Sequence, residues 1–504
     1  MIATTSRPSR PAAAPRAPRD GACHHLPRAR GRAASTALPG VLLTLGLGLW
    51  GIWRDGTMWL DEMATYEASR RGVGELWRTL GNVDAVHGLY YLLVHALFGT
   101  TGDADPLLVL RIPSVLAMGA AAAGVALLGR RLAGPRAGAL AGVVFALTPA
   151  VQRFAQEGRS YALVCALVVW ATYALVDAVA TDGRRARRAW FRYGALMLVA
   201  CLLHEFAVFA LAGHALTVPR AARRRWALAA AAVCTGLAPL VVVSRHQQAQ
   251  VSWIRFDTGM YADTLTVCLL GAGCAVLLGR LPRGPVKPPV GIVRVALPLL
   301  VAPVGVLMLL TPVKPLFLDR YVLYCLCGLA LLVGGLLDRA LRGRRWHGIV
   351  AVITATAALV LVVPEARQLR DPAHRSGHAD AAATARAVRA VGRSGDAVVY
   401  MPTHHRGWVL PTPDTVARLR DIALDSGPDA SHTLYGVEAP AHVIRARMTA
   451  ESRIVFVTDR SVGAAGRAEP EATKLRVIQS LFEKCRTWRG HGPLVTLYAR
   501  PGHC

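Results

Sequence analysis

Apolar runs long enough to cross a bilayer recur along this chain and alternate with short polar stretches. Runs of this length are typical of transmembrane helices, which need about 20 residues to cross the hydrocarbon core. The pattern predicts an α-helical polytopic membrane protein rather than a soluble domain with one large core. We predict spans at about Leu38–Trp53, Leu107–Leu128, Ala137–Arg153, Ala162–Ala180, Trp226–Val243, Ala262–Leu278, Val293–Leu310, Tyr321–Leu337 and Gly348–Val363.

Two further segments leave the number of spans open. Trp190–Val218 has basic residues at both ends, so a single crossing would place a cationic loop outside the cell. Two short crossings that fold back at His204 and Glu205 keep both ends inside, and we favour this hairpin. The segment His87–Phe98 is apolar but short, which suits a juxtamembrane or re-entrant helix. The count is then about eleven spans, provided that residues 87–98 do not cross.

The distribution of charge predicts the orientation of these spans. The chain has 58 Lys+Arg against 31 Asp+Glu, a formal net charge of +27. The cations are clustered between apolar runs, as in cytoplasmic loops, and this argues against nucleic-acid binding. We therefore expect a multi-pass protein of the cell membrane, in contact with membrane lipids, with its N-terminus in the cytoplasm. The basic clusters lie at residues 129–131, 184–188, 220–225, 280–287 and 339–345.

The two ends of the chain differ from its middle. Residues 1–36 are rich in Arg, Pro and Ala and predict a disordered basic arm in the cytoplasm. The first apolar run lies too far from Met1 for a cleavable signal peptide, so we expect it to be retained. Residues 37–364 form the predicted membrane domain.

Residues 365–504 predict a small soluble α/β domain outside the cytoplasm. An amphipathic helix is expected at 379–391, and short strands at Asp396–Met401, Arg453–Thr458 and Leu494–Ala499. Cys485 and Cys504 could pair if this domain lies outside the cytoplasm.

The candidate chemistry starts at Asp61 and Glu62, two adjacent carboxylates just beyond the first apolar run. Such a pair could simply be solvated loop acids. The predicted topology, however, places a matching polar set on the same face of the membrane. That set consists of Asp61, Glu62, His87, Glu157, Arg159, Tyr161, His204, Glu205, Arg245, His246, Lys314, Asp319, Arg320 and Tyr321.

These residue types suit sugar transfer from a lipid phosphate. A carboxylate can take the proton of an acceptor hydroxyl. Arg can hold a phosphate through paired hydrogen bonds, and Lys can hold it as a point charge. Because a phosphate is a stable leaving group, one base and a cationic cradle suffice for transfer with inversion at the anomeric carbon. A single well-placed donor in such a cradle contributes about 3 kcal/mol.

Five short motifs carry a family resemblance. The chain resembles the GT-C glycosyltransferases over roughly residues 38–340, and in particular the bacterial protein O-mannosyltransferase and aminoarabinose transferase superfamily. Each motif is weak alone, but the five occur in order on one predicted face. They are Trp59-Leu60-Asp61-Glu62, His87-Gly88-Leu89-Tyr90-Tyr91, Leu110-Arg111-Ile112-Pro113-Ser114, Glu157-Gly158-Arg159-Ser160-Tyr161-Ala162-Leu163 and Asp319-Arg320-Tyr321.

The resemblance implies a polyprenyl-phosphate-linked sugar as donor and the aspartate of the first extracytoplasmic loop, here residues 54–106, as general base. That role falls on Asp61, with Glu62 and Glu157 in support. We expect transfer of a hexose or pentose, mannose first, to an acceptor outside the cytoplasm that is a protein, a lipid or a glycan. No cofactor is certain, and a divalent cation stays open. The residues expected to bind the donor phosphate or substrate are His87, Arg159, Tyr161, Arg320, Tyr321, Lys314 and Arg245.

Several of these residues also have plainer interpretations. Glu62 could be a metal ligand, or a charge that favours a helix N-terminus. Glu157 and Arg159 could pair with each other, and Arg320 could extend to the lipid headgroups. His87 could be an interfacial histidine. Outside the site, we interpret His204-Glu205 as a polar turn and His404-His405 as a surface pair rather than a metal site.

Two other classes of protein fit a polytopic basic-inside chain. A transporter or lipid flippase would place its polar residues at mid-membrane, often on broken helices. A membrane receptor would bind through its C-terminal domain, and Asp61 would be dispensable. The candidate residues here cluster at the edges of loops, which favours chemistry at the membrane surface.

Overall fold

The fold is described from a computed structural model. It covers residues 26–53, 56–248, 254, 256–282, 290–311, 313–342, 362–371, 381–410, 412–458, 469–489 and 494–504, with backbone only for 26–32, 413 and 416.

Helices dominate the first two thirds of the chain. They are α1 Leu26–Leu49, α2 Leu60–Arg70, α3 Val73–Asn82, α4 Gly88–Thr101, α5 Pro106–Ala133, α6 Pro135–Leu147, α7 Pro149–Ala155, α8 Tyr161–Val179, α9 Gly183–Leu203, α10 Ala210–Thr217, α11 Arg223–His246, α12 Thr258–Arg280, α13 Ile292–Leu310 and α14 Leu326–Ala340.

Six of the described helical segments are long and apolar enough to cross a membrane, and the polytopic helical fold is confirmed. They are Pro106–Ala133, Tyr161–Val179, Arg220–His246, Thr258–Arg280, Ile292–Leu310 and Asp319–Ala340. Helix α1 begins at Leu26, inside the segment predicted as a disordered arm, whereas residues 1–25 lie outside the described residues. Most of the predicted span Gly348–Val363 also lies outside them. The count of about eleven spans therefore stays a prediction.

The predicted span Ala137–Arg153 is broken into α6 and α7, which meet at an angle of 66°. The break falls at Thr148, whose backbone is extended, directly before Pro149. Proline lacks an amide hydrogen and disfavours helical backbone in the residue before it. The bend places the end of α7 beside the loop that carries Glu157 and Arg159.

The predicted fold-back near His204 is present. Helix α9 ends at Leu203, and His204 has an extended backbone before the chain turns into α10. The His214 ring of α10 lies 5.5 Å from the Tyr193 ring of α9, so α10 runs back alongside α9. His214 also hydrogen-bonds Thr172 of α8 at 2.9 Å, which ties the hairpin to the bundle.

Glycines allow the helices α1, α5 and α6 to pack very closely. A Cβ atom on Gly138 of α6 would lie 2.2 Å from the carbonyl oxygen of Ala126 in α5. A Cβ atom on Gly40 of α1 would lie 2.7 Å from the backbone of Gly142 in α6. Small residues at such crossings are the usual basis of helix association in membranes. This packing fixes α5, which carries Arg111 of the site.

The C-terminal region has an α/β structure, as predicted. Its strands are β1 Ala397–Met401, β2 Arg420–Asp421, β3 Leu424–Ser426, β4 Val437–Glu438, β5 Arg453–Thr458, β6 Glu483–Arg489 and β7 Leu494–Ala499. Five of them form a sheet in the order β2-β1-β5-β7-β6, with β1 parallel to both β2 and β5. Strand β7 is antiparallel to β5 and to β6. A separate antiparallel pair is formed by β3 and β4. The helices of this region are α15 Ala381–Val391, α16 Pro413–Ala417, α17 Pro428–Ser431, α18 Ala441–Ala450 and α19 Glu469–Leu481.

The C-terminal region packs directly on the helical part of the chain. Trp408 and Leu434 belong to the same buried apolar cluster as Met63 of α2 and Tyr90 of α4. Cys485 and Cys504 form a disulfide with a Cα–Cα distance of 5.4 Å. One sequence interpretation is wrong here: His405 is buried and stacks on Trp408 with 3.6 Å between ring centroids, although its neighbour His404 is exposed.

We expect Gly138→Val to destabilise the protein. The added side chain meets the α5 backbone rather than a flexible side chain, and overpacking of this kind costs about 1–3 kcal/mol or more. Gly273→Val is the matched control, because a Cβ atom on Gly273 of α12 meets nothing within 4 Å. Thermal unfolding in detergent should show a clear loss for Gly138→Val only. Equal melting temperatures for the two variants would contradict this account of the crossing.

Candidate active site

The two adjacent carboxylates lie in the first turn of α2 but have different surroundings. Successive residues of a helix point in directions about 100° apart. Glu62 points inward and is fully buried, whereas the Asp61 side chain is 22% exposed. Both acids occupy the N-terminal turn, where the helix dipole favours negative charge.

Glu62 forms a buried ion pair with Arg111 of α5. Its Oε1 accepts from Arg111 Nε at 2.8 Å, and its Oε2 accepts from Arg111 Nη2 at 2.7 Å. Arg111 also donates to the carbonyl oxygens of Ile52 and Thr57, at 2.5 and 2.6 Å. Glu62 Oε1 accepts a third hydrogen bond, from the Gly158 amide at 2.9 Å. One carboxylate therefore joins α2 to α5 and to the loop before α8.

The loop at residues 156–160 is held in place from several sides. Thr65 Oγ1 lies 3.0 Å from the carbonyl oxygen of Gly158, to which it donates. Ser114 Oγ donates to the carbonyl oxygen of Glu157 at 2.5 Å. A Cβ atom on Gly158 would lie 2.8 Å from Leu110 Cβ, so this position leaves room only for glycine. These contacts fix the backbone from which Arg159 projects.

Arg159 and Arg320 converge on Asp61. The Arg320 Nη1 to Asp61 Oδ2 distance is 3.7 Å, and the Arg159 Nε to Asp61 Oδ2 distance is 3.9 Å. The three residues come from α2, from the loop before α8 and from the start of the segment that leads into α14. The arginine side chains are 6% and 15% exposed, for Arg159 and Arg320, so their charges are poorly screened by water. Desolvation opposes the charge of Arg159, but Tyr91 and Asp61 raise its pKa well above the ordinary value.

A hydrogen-bonded chain continues from Arg159 to Asp84. Arg159 Nη1 donates to the Tyr91 hydroxyl at 3.0 Å, and that hydroxyl donates to Asp84 Oδ2. Asp84 has a left-handed backbone, with φ of 60°, and its Oδ1 lies 3.8 Å from His87 Nε2. Burial and the positive charges of Arg159 and Arg320 lower the pKa of His87 well below its ordinary value. His87 is therefore neutral at neutral pH.

Aromatic rings line the side of the site next to Arg320. The Arg320 guanidinium lies 5.8 Å from the ring centroids of both Tyr161 and Tyr321. The His204 ring lies 4.7 Å from Tyr321 and 5.5 Å from both Tyr161 and His87. Rings at these distances form a wall beside the cations.

The remaining predicted residues lie elsewhere. The buried Glu157 carboxylate has its Oε1 3.8 Å from Arg153 Nε of α7. Lys314 Nζ donates to Gln248 Oε1 at 2.7 Å. Within the described part of the chain, neither Lys314 nor the exposed Arg245 is seen to pair with Asp61. The nearby Gln247 instead ties the end of α11 to the loop before α4, by accepting from the Ala85 amide at 2.9 Å.

Sequence reasoning gave no role to Arg111, Asp84 or Tyr91, and interpreted His204 as a turn. Arg111 had a usable signal, because an arginine inside an apolar run is costly unless it has a buried partner. Tyr91 stood within a quoted motif, but the pattern did not single it out. Asp84 lies only three residues before His87, but the pattern did not single it out. His204 stood in the polar set on the predicted face, and its contacts with Tyr161 and Tyr321 come from distant segments.

The arrangement suits an anionic, phosphorylated substrate. Among the described residues, no group of three or more His, Cys, Asp and Glu side chains is placed to hold a metal ion. Two guanidinium groups beside one carboxylate can hold an anion and accept a proton next to it.

Comparison with known families confirms the predicted resemblance. The family model described as dolichyl-phosphate-mannose-protein mannosyltransferase matches residues 86–247. That segment contains His87, Arg111, Glu157, Arg159 and Tyr161. No curated protein sequence matches the chain.

Solved structures show the same fold over almost the whole chain. ArnT from Cupriavidus metallidurans bound to undecaprenyl phosphate is 14% identical, with a TM-score of 0.55 over 92% of this chain and 98% of that one. An oligosaccharyltransferase from Archaeoglobus fulgidus in complex with Zn and sulfate is 10% identical, with a TM-score of 0.52 over 92% of this chain and 73% of that one. The likeness is one of fold, and it is the GT-C glycosyltransferase fold.

We expect Arg111→Met alone to destabilise the protein more than Arg111→Met combined with Glu62→Gln. The single change leaves a buried carboxylate without its cation, which costs about 3–5 kcal/mol, whereas the double change removes both charges. Thermal unfolding in detergent measures the difference.

Arg192→Met is the control for loss of an ion pair, because the Arg192 side chain is 60% exposed and pairs with Asp177 at 3.0 Å. An exposed pair contributes about 1 kcal/mol or less, so this variant should melt near the wild type. If the loss of stability in the double variant equals the sum of the losses for Arg111→Met alone and Glu62→Gln alone, that additivity would contradict the buried pair.

Proposed function

We propose that this protein is an integral-membrane glycosyltransferase that takes a sugar from a polyprenyl-phosphate donor and transfers it to an acceptor outside the cytoplasm. The observation that carries the proposal is the convergence of Arg159 and Arg320 on the partly exposed carboxylate of Asp61. The match to the mannosyltransferase family model and the fold shared with ArnT and the archaeal oligosaccharyltransferase support it. Mannose is the first sugar to test.

In the proposed reaction, Asp61 acts as the general base. The acceptor hydroxyl attacks the anomeric carbon while Asp61 takes its proton. The bond between the anomeric carbon and the phosphate oxygen breaks, and its electron pair leaves with the polyprenyl phosphate. Attack opposite to the leaving phosphate inverts the anomeric centre. The only proton transfer that the step needs is the one to Asp61.

Arg159 and Arg320 would hold the donor phosphate. Both lie within 4 Å of the base, and charge-assisted hydrogen bonds to phosphate strengthen as charge develops on the leaving oxygen. The aromatic wall of Tyr161, Tyr321 and His87 borders this cradle. Lys314 and Arg245 stay predictions for the outer part of the donor site.

Glu62 and Glu157 would support the site without contacting the sugar. Glu62 is fully buried and accepts three hydrogen bonds, from Arg111 and Gly158. That geometry suits positioning of α2 and Arg159 better than proton transfer. Glu157 is buried next to Arg153 and adds negative charge behind the cradle.

Two observations favour this function over transport and fit an extracytoplasmic site. Asp61 and Arg159 lie at the beginnings of α2 and α8, which suits chemistry at a membrane surface rather than a mid-membrane binding site. The disulfide between Cys485 and Cys504 fits a C-terminal region outside the cytoplasm, since disulfides persist in oxidising compartments.

We expect Asp61→Asn to lower sugar transfer by about 10²- to 10⁴-fold, the usual contribution of a general base. The assay uses purified protein in liposomes with a panel of radiolabelled undecaprenyl-phosphate hexoses and pentoses and a native envelope fraction as acceptor. Binding of undecaprenyl phosphate should persist in the variant. Asp263→Asn, on the exposed face of α12, is the control and should transfer at the wild-type rate. Unchanged transfer by Asp61→Asn would overturn the assignment of the base.

We expect Arg320→Gln to weaken binding of undecaprenyl phosphate by about tenfold to a hundredfold. Hydrogen bonds to charged groups contribute about 1.5–3 kcal/mol, and 1.4 kcal/mol is tenfold in affinity. Ligand-induced shifts of the melting temperature in detergent give the affinity. Arg192→Gln removes an exposed arginine from α9 and should bind normally. An affinity of Arg320→Gln equal to that of the wild type would place the phosphate elsewhere.

A further inference from the structure

A loop of the C-terminal region contacts the end of α2 and helix α3. This loop, residues 427–436, connects β3 to β4, and we call it the strap. It contains the short helix α17, and two of its residues have left-handed backbone, with φ of 50° at His432 and 77° at Gly436. A Cβ atom on Gly436 would lie 2.5 Å from Leu424, so the turn is tightly packed against β3. The strap therefore has a defined backbone conformation that is packed against β3.

Side chains of the predicted first extracytoplasmic loop, residues 54–106, bind one side of the strap. Arg71 Nη2 donates to the carbonyl oxygen of Thr433 at 2.8 Å, and Asn82 Nδ2 donates to that of His432 at 3.4 Å. Arg71 Nε lies 3.7 Å from Asp429 Oδ1, and the His432 ring pairs with Glu75. These contacts join the strap to α3 and to the end of α2.

Buried charged residues of the sheet region bind the other side of the strap. Arg406 Nη1 donates to the carbonyl oxygen of Tyr435 at 3.3 Å. Arg406 also pairs with Asp421 at 2.5 Å and with Glu438 at 3.0 Å. The fully buried Lys474 donates to Glu438 at 2.6 Å, which adds a second cation to the anchor. A buried charge that loses its partner destabilises the fold strongly, so these ion pairs keep Arg406 in place. Arg406 in turn holds the backbone of Tyr435 in a defined position.

Tyr435 is the strap residue that lies beside the first turn of α2. Its ring lies 2.6 Å from the place that a Cβ atom on Gly407 would occupy, and Leu60 Cδ1 lies 3.5 Å from the same place. Leu60 directly precedes Asp61 in α2. Tyr435 also packs on the apolar cluster that includes Met63 and Tyr90. Burial, together with the negative charges of Asp61 and Asp84, raises the pKa of the Tyr435 hydroxyl, which stays protonated.

We propose that the strap is the acceptor-side wall of the catalytic pocket and that Tyr435 positions the attacking hydroxyl against Asp61. This inference rests on the proposed function. The arginines of the phosphate cradle belong to the helical part of the chain, whereas Tyr435 belongs to the C-terminal region and lies near Leu60, the residue before Asp61. In an in-line displacement the acceptor attacks from the side of the sugar opposite the phosphate. The strap forms that side of the pocket in our proposal, and none of its residues belongs to the phosphate cradle. A tyrosine there offers a ring to exclude water and a hydroxyl to orient the acceptor oxygen.

The test measures two products from one donor. Purified protein in liposomes receives the radiolabelled undecaprenyl-phosphate sugar that is active in the panel above, together with the native envelope fraction. Label in the envelope fraction reports transfer to the acceptor, and free labelled sugar reports attack by water. Tyr435→Ala should lower transfer by about tenfold to a hundredfold, the cost of a misplaced nucleophile. Release of free sugar should stay level or rise, and affinity for undecaprenyl phosphate should stay within about twofold, because the cradle is intact.

Two further variants separate positioning from loss of folded protein. Tyr435→Phe keeps the ring, so release of free sugar should match the wild type while transfer falls less than in Tyr435→Ala. Tyr498→Ala removes a ring from β7 that contacts Phe456, at 6.0 Å between centroids. It can lower the yield of folded protein, but it should leave the ratio of transfer to free sugar at the wild-type value.

The outcomes distinguish the two proposals. A wild-type protein that neither transfers nor releases sugar from any donor in the panel overturns the proposed function and this inference with it. A wild-type protein that transfers sugar, with Tyr435→Ala keeping the wild-type ratio or losing donor affinity instead, overturns the strap assignment alone.

Discussion

The buried pair of Glu62 and Arg111 is the interaction on which the candidate site depends. It joins α2 to α5, and through the Gly158 amide it also joins both helices to the loop of Arg159. With Glu62 directed inward, the rotation of α2 is determined, and the adjacent Asp61 has to project outward. The desolvated charges are stabilised only by their mutual geometry, so a disturbance in any of the three segments displaces the base or the cradle.

Two parts of the chain meet at Asp61 with different tasks. The helical part supplies Arg159, Arg320 and the aromatic wall, which suit a lipid phosphate. The C-terminal region supplies the strap, held from one side by Arg71 and from the other by Arg406. The proposed transfer needs an amphipathic donor and a separate acceptor, and under our proposal this division gives each of them its own side of the site.

The fold is shared with ArnT and with the archaeal oligosaccharyltransferase at identities of 14% and 10%. At that distance helix packing persists while most side chains change, so the fold does not identify the substrate. The proposed chemistry of this protein therefore rests on Asp61 and its two arginines. The proposed acceptor side rests in the same way on the side chains of the strap, about which the likeness in fold carries no information.

The sequence by itself determined the helical membrane architecture and the α/β structure of the C-terminal region. It also singled out three residues of the candidate site, Asp61, Arg159 and Arg320. Apolar length and charge clustering are local properties, and the motifs around Asp61, Arg159 and Arg320 follow each other in order. Only the tertiary structure decided that Glu62 is buried, that it pairs with Arg111, and that the strap with Tyr435 packs beside α2. Those outcomes depend on contacts between residues far apart in the chain, such as Arg71 and Thr433. Their geometry is set by helix rotation and by close packing at glycines, which the pattern of apolar and polar residues does not encode.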